Sequence, residues 1–256
     1  MDFDVSVGMA VFLVVAAFVA GFVDSIAGGG GMITIPALLF VGIPPLQALG
    51  TNKFQSCFGS FSASFHFYRK GYVNLGEHWS FVLVAFGGSM CGTLAVQVLQ
   101  ADFLKKFIPF LLMIFALYFL FSPKISEGGK PAVVGGFTLG GVIGVIGFYD
   151  GFFGPGTGSF LMLALIALGG YGLLHALAHA KLFNFATNLA SMLVFACSGQ
   201  ILWILGLLMA FGQFVGAYFG SRVAIGGGVK IIKPLVVCVS LVACANLLYK
   251  EFFTSL

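Results

Sequence analysis

Ten apolar runs separated by short polar stretches fill almost all of this sequence, and that pattern leaves few ways for it to fold. In the first half the runs lie near 5–24, 32–46, 54–68, 79–99 and 106–122. In the second they lie near 131–149, 158–172, 181–198, 200–221 and 233–249. A helix needs about 20 apolar residues to cross the hydrocarbon core of a bilayer, and most of these runs approach that length. Charges are too sparse to cover a water-soluble surface. Only 8% of the 256 residues are Asp, Glu, Lys or Arg, against about 25% in an ordinary soluble domain. Disorder needs low hydrophobicity, whereas 60% of this chain is hydrophobic. The expected class is therefore an all-α polytopic membrane protein, with the lipid bilayer as its main partner. No stretch is long or polar enough for a separate catalytic domain. The net charge of +4 fits loop lysines and arginines facing the cytoplasm, not a nucleic-acid footprint. The first run follows Met-Asp-Phe-Asp, without a basic n-region, so it is expected to be a retained span and not a signal peptide.

The chain is written twice. Gly21-Phe22-Val23-Asp24 returns as Gly147-Phe148-Tyr149-Asp150, an offset of 126 at which Gly28 also matches Gly154 and Gly30 matches Gly156. After a two-residue insertion the offset is 128, and Lys53 matches Lys181, Gly71 matches Gly199, Gly88 matches Gly216 and Gly92 matches Gly220. The seam falls in the polar stretch from Ser122 to Pro131, which gives two repeats at 1–125 and 126–256. The second run of each half is short and follows a Gly-rich stretch; in the first copy it holds Pro36. Short, interrupted segments at matching places in two halves point to a transporter binding site. If all ten runs cross, the loop lysines and arginines divide 8 to 4, both termini lie outside and the repeats are inverted. If the short runs dip in and return, each half has four crossings and the repeats are parallel. The inverted arrangement is the favoured expectation.

Charges inside membrane spans cost about 2.5–3.5 kcal/mol on insertion scales, so each one present calls for a reason. Asp24 and Asp150 each end a long apolar run and precede a glycine stretch, Gly28-Gly29-Gly30-Gly31 or Gly154-Pro155-Gly156-Thr157-Gly158. The implied geometry is a helix that stops, a bare-backbone bend and a new helix whose free N–H groups attract an anion. The aspartates suit capping, fixing the bend or pairing with a lysine better than direct contact with an anion. Lys53, preceded by Thr51 and Asn52, and Lys181, followed by Asn184 and Asn188, open the third run of each half. Asn184 and Asn188 share a helix face with Lys181. Either ammonium could meet a substrate anion or snorkel to the interface, and the asparagines could bind oxyanion oxygens or link helices.

Other chemistry finds little support. His175 and His179 are four apart, but no Glu lies between them and no third ligand is near, so no metal site is expected. Ile33 occupies the last glycine position of a GxGxxG, and no nucleotide motif or other cofactor site is expected. No catalytic constellation stands out, so the chain is not expected to be an enzyme. The five cysteines form no CxxC pair and are expected to be small core residues. Trp79, Tyr72, Tyr118 and Trp203 lie near run ends, as interface anchors do.

The segment from Gly21 to Pro36, with Ala48-Leu49-Gly50-Thr51-Asn52-Lys53, resembles the opening motifs of the TauE/SafE family of sulfite and organosulfonate exporters. Asp150 to Phe160 and Ala180 to Asn188 resemble the family's second repeat, with His179 standing where a Thr is expected. The resemblance implies a multi-pass carrier of the bacterial inner membrane for small sulfur-containing anions such as sulfite, thiosulfate or sulfoacetate. The expected anion site is Gly28, Gly29, Gly30, Gly31, Thr51, Asn52, Lys53, Gly154, Gly156, Thr157, Gly158, Lys181, Asn184 and Asn188. Asp24 and Asp150 are expected to be structural or proton-coupling residues. Alternating access would move the anion, driven by its own gradient or a coupled ion. A channel-like facilitator and a cation carrier using Asp24 and Asp150 are the rival readings. Gly140, Gly141 and Gly144 could pack within one chain or in a homodimer.

Overall fold

In the computed structural model the described residues are 6–100, 103–104, 107–108, 110–114 and 131–226. The fifth run of each half and the seam between the halves lie wholly or largely outside them. Eight labelled helices and no strand occur among the described residues: α1 (Val7–Ala27), α2 (Gly31–Phe40), α3 (Pro45–Arg69), α4 (Leu75–Gln97), α5 (Gly136–Phe152), α6 (Thr157–Ala167), α7 (Leu173–Cys197) and α8 (Trp203–Ile225). The bounds of α7 and α8 lie 128 residues beyond those of α3 and α4. Among the described residues four helices are long and apolar enough to cross a membrane: α1, α7, α8 and His78–Gln97 within α4. At 25 residues α3 matches α7 in length. It falls below them in apolarity because Thr51, Asn52, Lys53, Gln55 and four serines line its course. Those polar groups are tolerated because most are buried against other helices and not turned to lipid.

That placement corrects one expectation. Lys53 and Lys181 do not open their helices; α3 starts at Pro45 and α7 at Leu173, so both lysines lie two turns inside. Neither snorkels, since Lys53 is 1% and Lys181 0% exposed. The cysteines need correction too. Cys57 is buried, but Cys91 and Cys197 are exposed on the helix surface, because a small apolar residue serves a lipid-facing position as well as a core. Cys238 and Cys244 lie outside the described residues. Trp79 and Trp203 are exposed near the starts of α4 and α8.

Helix directions follow from which residues touch. Along α1 and α8, Val14 meets Gly212, Phe18 meets Gly216 and Phe22 meets Gly220, so these helices run parallel. The matching pair, α4 and α5, is also parallel: Gly88 meets Gly144, Gly92 meets Phe148. Parallel contacts join α3 to α8, through Thr51 with Leu202 and Ser62 with Phe214. They also join α4 to α7, through Ser89 with Thr187 and Thr93 with Ser191. By contrast α3 and α7 are antiparallel, since Gly50 lies by Phe195 and Phe61 by Phe185. Hairpins α1–α2 and α5–α6 turn back at the glycine stretches.

Small residues make this packing possible. A Cβ on Gly92 would sit 1.9 Å from the Phe148 carbonyl oxygen, and one on Gly151 1.9 Å from that of Ser89. Gly140 and Gly144 pack against Phe81 and Val84 of α4 within the chain, while Gly141 faces open space. Where α4, α5 and α7 meet, Ser89, Thr93 and Ser191 share hydroxyl hydrogen bonds, and Thr93 also donates to the Gly151 carbonyl at 3.1 Å.

Candidate functional site

Two ion pairs cross between the halves. Lys53 on α3 donates to Asp150 Oδ1 at 2.9 Å and to the Asp150 main-chain oxygen. Lys181 on α7 donates to Asp24 Oδ2 at 2.8 Å. Each lysine therefore reaches the broken helix of the other half of the chain. Leaving either charge unpaired would cost several kcal/mol in so dry a setting, so the partners are physically obliged to meet.

The aspartates also fix the bends. Asp24 Oδ1 accepts the Gly30 N–H at 3.2 Å, across a turn that Gly28 makes with φ +79. Asp150 Oδ1 accepts the Thr157 hydroxyl at 2.7 Å, across a turn in which Gly154 has φ +100. Those left-handed positions favour glycine. The two bends touch: a Cβ on Gly28 would lie 2.3 Å from the Ser159 nitrogen, and Ser159 donates its hydroxyl to the Ala27 carbonyl.

A small polar cavity lies at this crossing. Asp24, Gly28, Gly31, Asn52, Lys53, Asp150, Gly154, Gly156, Thr157, Gly158, Asn184 and Asn188 line it. The first residues of α2 and α6 are among them, so the amino-terminal ends of both short helices face the space. Lys181 sits just behind, its Nζ 3.0 Å from where a Cβ on Gly158 would be. Gly29 and Gly30 do not line the cavity; Gly30 gives its N–H to Asp24. Thr51 is turned away, and its hydroxyl accepts the Leu202 N–H at 3.1 Å, at the start of α8. His179, its counterpart, packs on His78 with ring centroids 4.2 Å apart.

Ser56 lines the cavity and was missed in the sequence. The repeat held the signal, because Ser56 and Asn184 are 128 residues apart. The Asn52 side chain is oriented by its neighbours. Its Oδ1 accepts from the Thr34 hydroxyl and from Gln55 Nε2 at 3.2 Å, which leaves its N–H donors for the cavity. Among the described residues, no group of three or more His, Cys, Asp or Glu is arranged to hold a metal.

The profile of the sulfite exporter TauE/SafE family matches residues 13–247. The chain belongs to the TauE/SafE family. Among curated TauE/SafE-like relatives, a probable membrane transporter protein of Sinorhizobium is 50% identical over 96% of this chain and 94% of its own length. A probable membrane transporter protein of Haemophilus influenzae is 44% identical over 97% of this chain and 98% of its own. The probable membrane transporter protein YfcA of Escherichia coli K12 is 46% identical over 91% and 87%. No solved structure matches. Family membership, these relatives and the apolar helices make this TauE/SafE protein a multi-pass membrane transporter.

Proposed function

We propose that this protein is a secondary carrier of the bacterial inner membrane that moves small sulfur-containing anions such as sulfite, thiosulfate or sulfoacetate by alternating access. The crossed Lys53–Asp150 and Lys181–Asp24 pairs around one polar cavity carry this reading. The cavity offers what an oxyanion needs: the Lys53 ammonium with one N–H donor to spare, the Asn52 amide and two helix amino-termini. It suits a cation less well, because each carboxylate already holds an ammonium. The sulfur-anion class follows from membership of a family of sulfite exporters.

The transport cycle is read from the helix directions. Parallel contacts of α1 with α8 and of α5 with α4, with α3 and α7 antiparallel, support two repeats related by inversion. In that arrangement each ion pair ties a broken helix to the opposite repeat. Opening one pair while the other stays closed would expose the cavity to one side at a time.

The test is a thermal-shift titration of purified protein with sulfite, thiosulfate, sulfate, sulfoacetate, chloride and divalent cations. The expected result is saturable stabilisation by a sulfur anion, lost in Lys53→Ala and Lys181→Ala. Stabilisation by a cation alone, unchanged in both variants, overturns the reading and gives the site to Asp24 and Asp150.

A further inference from the structure

The two crossed ion pairs are chemically unequal. Both carboxylates are held on both oxygens, but Asp150 has three side-chain donors: Oδ1 accepts from Lys53 at 2.9 Å and from Thr157 at 2.7 Å, and Oδ2 takes the Asn184 amide at 3.4 Å. Asp24 has Lys181 at 2.8 Å and the Gly30 N–H at 3.2 Å. The sequence explains the difference. Gly31 stands where the second repeat has Thr157, so no hydroxyl reaches Asp24. Ser56 stands where it has Asn184, and it accepts from Gln213 Nε2 at 3.3 Å instead. Exposure follows suit, since the Asp24 side chain is 14% accessible and that of Asp150 2%.

Charge then limits what can enter. Two lysines and two aspartates sum to zero, and an anion added to them is uncompensated in a low-dielectric space. Among the described residues the ionisable groups facing Asp24 are few. Lys181 comes from α7, while Lys53 from α3 and Asp150 from α5 share its cavity. Neither α2 nor α6 contains an ionisable residue. On α8, Arg222 is exposed and stacks 4.4 Å over the Tyr218 ring. A proton on Asp24 removes one negative charge and frees the Lys181 ammonium in the same event.

Resting on the anion-carrier reading, we propose that Asp24 is the proton-binding site of an anion–proton symport, with Lys181 as the ammonium that passes from carboxylate to anion. A proton from water binds Asp24 Oδ2, the Asp24–Lys181 pair opens and the Lys181 N–H groups turn to the anion. On the other side the anion leaves, the proton returns to water and the pair closes, with one proton moved per anion. Asp150, held by Lys53 and Thr157, takes no proton in this cycle.

The experiment is thiosulfate uptake by the full chain in proteoliposomes, with the membrane potential clamped at zero. Thiosulfate remains a dianion across the neutral range, so a pH effect belongs to the protein. Each unit of pH gradient, acid on the side of entry, should raise steady-state accumulation about tenfold for one coupled proton. Asp24→Asn should abolish that response, and Asp24→Glu, which keeps a carboxyl, should retain it. Accumulation that ignores the pH gradient, or follows a sodium gradient instead, overturns the proposal. A pH response lost in Asp150→Asn but kept in Asp24→Asn overturns it as well. Thiosulfate binding measured in detergent separates the two readings. Binding without a gradient response overturns proton coupling alone, and no binding of sulfite, thiosulfate or sulfoacetate at any pH overturns both.

Discussion

Lys53 and Asp150 are among the most deeply buried charges in the chain, and their energetics are those of a pair. Removing one partner of a buried pair costs about 3–5 kcal/mol, because the other charge is left without compensation. Lys53→Ala and Asp150→Ala should each lower thermal stability in detergent more than the double replacement does, and a double-mutant cycle on melting temperatures checks this. Thr51 provides the contrast. Its hydroxyl serves the start of α8 and not the cavity, so Thr51→Val should cost about 1 kcal/mol of stability. Its thiosulfate affinity, measured by titration, should match that of the parent protein. At this scale the sequence displayed the charges in apolar runs, but it did not show their partners. Lys53 meets a residue 97 positions away, and nothing local to either residue encodes that.

Between elements the decisive contacts are backbone to backbone. Gly88, Gly92, Gly147 and Gly151 bring α4 and α5 together, and Gly21, Gly212, Gly216 and Gly220 do the same for α1 and α8. Gly151→Ala and Gly92→Ala each place a methyl group 1.9 Å from a carbonyl oxygen. Forced shifts of that kind cost about 1–3 kcal/mol, and the folded fraction on size-exclusion chromatography should fall. Gly141→Ala meets nothing within 4 Å. That change should leave the folded fraction the same or raise stability by about 1 kcal/mol through helix propensity. In the sequence Gly88 and Gly92 match Gly216 and Gly220 at one offset, which pairs the positions without saying what they touch. Which glycine faced a helix and which faced open space depended on helix rotation, a tertiary quantity.

Across the whole molecule, the 70–74 and 198–202 linkers are equivalent positions of the two repeats. The inverted arrangement proposed above would place them on opposite sides of the membrane. With the five native cysteines replaced, Lys70→Cys and Ser198→Cys should therefore react with an impermeant thiol reagent from opposite faces of oriented vesicles. Labelling of both from one face would require parallel repeats. The loop charges point the same way. With Lys53 and Lys181 removed from the count as helix-interior residues, the split becomes 7 to 3 and keeps its sense.

The sequence by itself determined the class and the membrane setting, and it marked the two motifs from which a candidate site could be drawn. Sparse charge excludes a water-soluble fold, and an ordered series of Asp, Gly and Lys repeated at 126 and 128 residues marks two matching motifs. These are properties of composition and order, which a linear chain carries in full. The tertiary structure alone decided that each lysine pairs with the other repeat's aspartate, that Thr51 turns away, that Ser56 enters the cavity and that Asp24 is the more accessible carboxylate. Those facts depend on which helix faces meet across the crossing. They follow from helix packing that no single stretch of sequence contains.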